Sequence, residues 1–145
     1  DYKVTGVQTC ALPISTDALM VYAEADLLKY RNKNEEALHA LDSLLKNFPD
    51  HSLVDDAWFL MAQIMDAKHE WIKADSLYQK IISHDPKGIL ADDAQYRRAL
   101  LYDDKLNDKS KAMELYQALL TDYSGSLFVV DARKRFRALR GDMLN

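Results

Sequence analysis

Apolar residues recur at three- and four-residue spacings along most of the chain, the period of helices that bury one face. Leu19, Tyr22, Ala25 and Leu28 trace the first stripe. Ala37, Leu38, Leu41, Leu44, Leu45 and Phe48 trace the second. It stops at Pro49, because proline cannot continue a helix and disfavours helical geometry in the residue before it. Trp58, Met61, Ala62 and Met65 mark a third helix, and residues 71–84 a fourth, closed by Asp85-Pro86-Lys87-Gly88. A further pair is predicted at about 90–104 and 108–122, and a seventh helix at about 127–139 that ends near Gly141. Asn34, Ser52 (in a capping box with Asp55) and Ser126 are the candidate N-caps. Only four Gly and three Pro agree with long helices and short connections.

The stripes repeat. Asp55-Asp56-Ala57 returns as Asp92-Asp93-Ala94, and Val130-Asp131-Ala132 echoes it, at spacings of 37 and 38 residues. Ala37, Ala74 and Ala112 keep the same rhythm, as do Pro49, Pro86 and, in the third place, Ser124. A shared period of this length marks a helical-repeat array, in which no unit buries its apolar face alone. The central unit reads Trp58-x2-Met61-Ala62-x2-Met65, then Ala74-x3-Tyr78-x2-Ile81-x4-Pro86. Position by position this register resembles the tetratricopeptide (TPR) repeat, and the resemblance covers residues 16–140.

The resemblance implies an all-α fold, a right-handed α-solenoid of three helix pairs plus a C-terminal capping helix. The domain would run over 16–145, with repeats at about 16–52, 53–89 and 90–126 and the cap at about 127–140. Ala25, Ala62, Ala99, Ala37, Ala74 and Ala112 would sit where paired helices cross. Trp58, Tyr78, Tyr102 and Tyr116 would be core aromatics, and Pro86 a stop. The departures are a period longer than the family's roughly 34 residues, Ile81 in place of a small residue and Leu41 in place of an aromatic. Repeat three also holds one extra residue between its helices, read as a lengthened turn. The long period looks like TPR proteins of the Gram-negative envelope. The end of the chain, from Gly125 to Asp142, is similar to that of large exported bacterial TPR proteins. A periplasmic or outer-membrane-associated setting is therefore favoured, with the cytoplasm left open.

Composition changes the picture in three places. The net charge of −4 argues against general nucleic-acid binding, and no stretch approaches the roughly 18 apolar residues of a membrane span. Residues 131–142 nevertheless carry a net +3, read as the charged outer face of a terminal helix, with an acidic partner or a lipid head group as the other reading. The lone cysteine, Cys10, excludes an intrachain disulfide and a Cys-based metal site. It lies in residues 1–15, which lack helical periodicity and are expected to be irregular. The string from Val4 to Ser15 resembles the translation of a sequencing-library adapter, so this segment is read as a cloning or assembly scar, with the true gene continuing upstream.

Catalytic chemistry finds little footing. His39, His51, His69 and His84 lie in different elements and form no metal-binding i, i+4 pair, so no metal or other cofactor is expected. Asp55-Asp56 and Asp92-Asp93 are explained by the first turn of a helix, where negative charge opposes the positive dipole end. What the TPR register does supply is a concave groove. Tyr22, Phe59 and Tyr96 fall one position beyond the large marker residue, on the face that lines the groove in that family. Leu19, Asp26, Asp56, Gln63, Asp66, Asp93, Leu100 and Asp103 share this inferred surface. An aromatic line flanked by acids suits a peptide with apolar and basic residues; the other reading packs these aromatics against the next repeat. The Lys/Asn pattern of TPR domains that clamp a terminal carboxylate is missing.

The expected role is a non-catalytic protein-interaction scaffold, the C-terminal part of a larger bacterial TPR protein, binding a peptide or protein segment in the groove. The alternative is a structural module that stacks on copies of itself or on upstream repeats with no peptide in the groove; the oligomeric state is open. Deleting residues 1–15 is expected to leave the thermal midpoint nearly unchanged, and a fall of many degrees in a melting curve would contradict the assignment of that segment.

Overall fold

A computed structural model describes residues 6–141, with side chains described from Thr16 onward. The described residues form seven α-helices and no strand: α1 (Gly6–Tyr30), α2 (Asn34–Asn47), α3 (Val54–Ala67), α4 (Trp71–His84), α5 (Ala91–Leu100), α6 (Lys109–Asp122) and α7 (Val129–Arg140). One π-helical turn, Leu101–Lys105, extends α5. The class is all-α; α1 packs on α2, and α4, α5, α6 and α7 pack each on the next, as expected of a helical repeat. None of the described helices is long and apolar enough to cross a membrane.

The connections recur bond for bond. After α2, α4 and α6, the amides of Phe48, Asp85 and Tyr123 donate to carbonyls four residues back, which closes each helix. The amides of His51, Gly88 and Ser126 then donate to the carbonyls of Phe48, Asp85 and Tyr123. Those of Val54, Ala91 and Val129 donate to His51, Gly88 and Ser126. Within the pairs, Asn32, His69 and Asn107 all adopt left-handed φ, at 60°, 63° and 54°. Asn tolerates this region because its short polar side chain bonds locally; at His69 the strain costs on the order of 1–2 kcal/mol, offset by the turn it completes. Lys33 N–H reaches Leu28 O and Glu70 N–H reaches Met65 O, satisfying the last carbonyls of α1 and α3.

The caps depart from expectation. Asn34 is the first helical residue of α2, preceded by Lys33 as N-cap with no side-chain cap bond. Ahead of α3 it is His51, beside the expected Ser52, that acts: its Nδ1 accepts from Leu53 N–H at 3.1 Å. Ser126, at the equivalent repeat position, accepts from Phe128 N–H at 3.1 Å. In the middle connection that position is Gly88, where an added Cβ would lie 2.8 Å from Asp85 Oδ2. Asp85 does the work instead, accepting from Lys87 N–H at 3.2 Å. The N-terminal boundary also moves. α1 begins at Gly6, so residues 6–15 are helical where the sequence predicts irregular chain. Extending a helix already nucleated over 16–30 gains one bond per residue fixed.

Two compact units divide within α3, between Ile64 and Met65. In the first, Ala25, Ala37, Leu41, Leu44, Ala57, Leu60 and Ile64 form the core, lined by half-buried residues such as Tyr22, Phe48 and Met61. In the second, Ala99, Ala112, Leu115, Tyr116, Leu119 and Ala132 form the core, with Tyr102 and Phe136 half-buried around it. Ala62, Ala74 and Tyr78 are also buried, while Pro86 is exposed in its turn. Trp58 is only half-buried, as is its neighbour Phe59, so burial does not divide the pair into one core residue and one exposed one. An indole is too large to be covered entirely in most sites.

The extra residue of repeat three enters the helix and not the turn. Leu106 N–H bonds to Leu101 O at 2.8 Å, an i→i+5 closure that takes up one additional residue. An inserted residue rotates the remainder of the helix by about 100°. Ala99→Leu is expected to overpack the second core and to lower stability by about 1–3 kcal/mol in urea unfolding. Gln117→Leu, on the exposed side of α6, is the control and should stay within about 0.5 kcal/mol.

Candidate partner-binding site

In the first unit, Tyr22 on α1 is half-buried against the core, and Asp26, one turn on, is exposed. Asp56 in the first turn of α3 is half-buried. Burial raises the Tyr22 hydroxyl pKa, and the nearby charges of Asp56 and then Asp26 raise it further. Burial likewise pushes the Asp56 carboxyl up, with Asp55 adding to it. Tyr22 thus lies within electrostatic reach of Asp56 on α3 and of Asp26 on its own helix. Neither Asp26 nor Asp56 has an ion pair among the described residues. Phe59 and Gln63 are half-buried further along α3, and Leu19 is 56% exposed on α1.

In the second unit the candidate residues take different roles. Asp66 and Leu100 line a cavity of about 130 Å³ with Tyr78, Arg97, Leu101 and Lys105. Burial pushes the Tyr78 hydroxyl up to about 12; Asp66 and Asp93 push the same way and Arg97 opposes them. Asp93 accepts a hydrogen bond from Arg97 Nε at 2.9 Å. Tyr96 lies parallel to Phe128, with centroids 4.6 Å apart and planes at 10°, and its hydroxyl donates to Asp131. Burial first, and that bond second, push its hydroxyl up to about 12. Of the two readings open for Tyr96, packing is the one its contacts satisfy.

Asp103 is the clearest correction. Its repeat position predicts the open face, yet it is 9% exposed. Tyr116 Oη donates to its Oδ2 at 3.0 Å, Lys109 Nζ to its Oδ1 at 3.0 Å and Arg135 Nη1 to its Oδ2 at 3.2 Å. The π turn is the physical reason: Asp103 lies inside it, where the helical register that would aim it outward no longer holds. Burial pushes its carboxyl up, but the hydrogen bonds of Lys109, Tyr116 and Arg135 outweigh this and hold it below the ordinary range. Arg135 also bonds Asp104 and Asp131, so one residue of the basic C-terminal stretch is turned inward.

Two further polar links join the helices of this unit. Asp75 on α4, 8% exposed, accepts from Arg98 Nε on α5 at 2.6 Å and from Tyr102 Oη at 3.0 Å. Gln95 Nε2 donates to Leu115 O at 2.9 Å, joining α5 to α6. A sequence signal for the first link exists: Asp75 sits between Trp71 and Tyr78, and Arg98 between Ala94 and Tyr102, each at a spacing otherwise held by the buried stripe. A charge on that stripe calls for a partner of opposite sign on the next helix. Among the described residues no group of three His, Cys, Asp or Glu is arranged to hold a metal ion.

A family model described as Tetratricopeptide repeat matches residues 17–51 and 93–126. These are the first and third units, whereas the repeat register of the sequence is clearest in the central one. No curated protein matches the chain.

Because the folded pKa of Asp103 is depressed, its stabilising contribution is complete above the unfolded value near 4 and is lost as pH falls through the folded one. Asp103→Asn is expected to cost about 1–3 kcal/mol at neutral pH. The gap in thermal midpoint from the unsubstituted protein should shrink below about pH 4; a gap constant down to about pH 2 would contradict the role given to this carboxylate.

Proposed function

Since this chain is a tetratricopeptide-repeat protein, a kind of protein-interaction scaffold that is generally non-catalytic, we propose that it holds a partner segment against the face formed by Tyr22, Asp26 and Asp56. The observation that carries this reading is a difference between carboxylates. Asp93, Asp103 and Asp104 are each bound by an Arg or Lys of their own unit, so they hold the fold and offer a ligand little. The charges of Asp26 and Asp56 both act on the Tyr22 hydroxyl, and neither carboxylate has an ion pair among the described residues. A Lys or Arg of a partner supplies the cation, and the half-buried ring of Tyr22 offers apolar area beside it. The fitting ligand is a protein segment with a basic residue next to apolar ones. The bacterial envelope, favoured by the long repeat period, belongs to the same proposal.

Peptides selected from a random display library on this chain are expected to be rich in Lys or Arg beside apolar residues. Asp26→Lys with Asp56→Asn should weaken their binding about tenfold or more, a loss of at least about 1.4 kcal/mol, with only a small fall in thermal midpoint from the lost first-turn charge of α3. Peptides that bind the double variant as tightly as the original would overturn the assignment.

A further inference from the structure

We propose that this chain associates with a second copy of itself head to tail, the outer face of α7 in one molecule seating on the cleft between α1 and α2 of the next. Neither surface includes Tyr22, Asp26 or Asp56, so the inference stands apart from the binding face above.

The α7 surface is made basic by which of its charges turn inward. Asp131 is held by Tyr96 and Arg135. Val130, Arg133, Lys134 and Arg137, at i, i+3, i+4 and i+7, share the opposite stripe and are all exposed. That stripe carries three cations and no anion. Leu127, 94% exposed, and Val130, 75% exposed, add an apolar patch at its N-terminal end. Arg133 and Arg137 also occupy the repeat positions at which α5 has buried Gln95 and Ala99. A helix packed there as α6 packs on α5 would bury two guanidinium groups without partners, a large penalty for unpaired charge. Whatever covers this face must bring carboxylates.

The first unit has such a surface. The cleft between α1 and α2 has a volume of about 560 Å³, a floor of Val21, Leu28 and Ala40, and a rim that includes Glu24, Glu35 and Glu36. Glu36 pairs with Lys33 at 3.5 Å in an exposed contact that a partner can exchange for its own, and His39 also lines the cleft. α1 is apolar beyond what its own unit buries. Met20 and Leu27, 64% and 46% exposed, lie four residues before and three after Glu24 and so share its side of α1. A helix apolar on both sides is one that expects a second neighbour. Leu127 and Val130 match this side of α1, and Arg133, Lys134 and Arg137 match the carboxylate rim. The two surfaces differ, so the contact is heterologous.

Light scattering after size-exclusion chromatography of the whole chain tests this. The expected mass exceeds the 16.6 kDa of one chain, rises with concentration and falls as salt is raised to about 0.5 M. Glu24→Lys with Glu36→Lys, and separately Arg133→Glu with Arg137→Glu, should each give a monomer. An equal mixture of the two should recover association beyond a single chain, because the basic cleft of one variant meets the acidic α7 of the other, and the unaltered cleft of the second meets the unaltered α7 of the first. A single-chain mass for the unsubstituted protein at every concentration would overturn the proposal. So would association that survives both reversals, as expected if exposed α1 faces paired with each other.

Discussion

The close approach of paired helices at small residues is the constraint on which the rest depends. Ala25 and Ala37 in the first unit, and Ala99 and Ala112 in the second, have no exposed surface and belong to the cores of their units. With methyl side chains at these places, the larger Leu41, Leu44, Tyr116 and Leu119 reach across and fill the space beside them. The recurring turns serve this geometry. Left-handed φ at Asn32, His69 and Asn107 reverses the chain after each first helix, in a connection short enough to keep the pair in register. The alanines are useless without such turns, and the turns have nothing to align without the alanines.

Charge in this protein is divided between holding the fold and facing outward. In the second unit Asp75, Asp93, Asp103, Asp104 and Asp131 all pair with Arg or Lys of neighbouring turns or helices. Arg135 concentrates three of those acids on one guanidinium, whose planar fork of donors serves several acceptors at once; burial works against its charge, but Tyr116 and then the surrounding carboxylates raise its pKa on balance. In the first unit Asp26 and Asp56 have no such partner among the described residues. A single sign of net charge therefore hides two chemically different units.

The one-residue insertion shows how a small local change redirects a side chain. Asp103 stands one repeat after Asp66, and that spacing predicts the same open face for both. The π turn from Leu101 to Lys105 breaks the equivalence. Asp66 remains half-buried beside a cavity, while Asp103 becomes the acceptor that joins Lys109, Tyr116 and Arg135. Length alone could not say whether the extra residue would loosen the connection or enter the helix.

By itself the sequence determined the helices and their order, because apolar period, proline stops and turn residues are local signals that act within a few residues. It also determined that the repeat is tetratricopeptide-like, since the alanine and aromatic positions recur at one period. Only the tertiary structure decided which polar residues were spoken for. Tyr96 and Asp103 read as open-face residues until Phe128, Asp131, Tyr116 and Arg135, distant in the chain, are brought against them. The half-burial of both Trp58 and Phe59 was equally out of reach, because adjacent residues on a helix differ by about 100° and a face is defined only by what packs on it. Periodicity says that a face exists; the partners it meets in three dimensions settle what each side chain on it does.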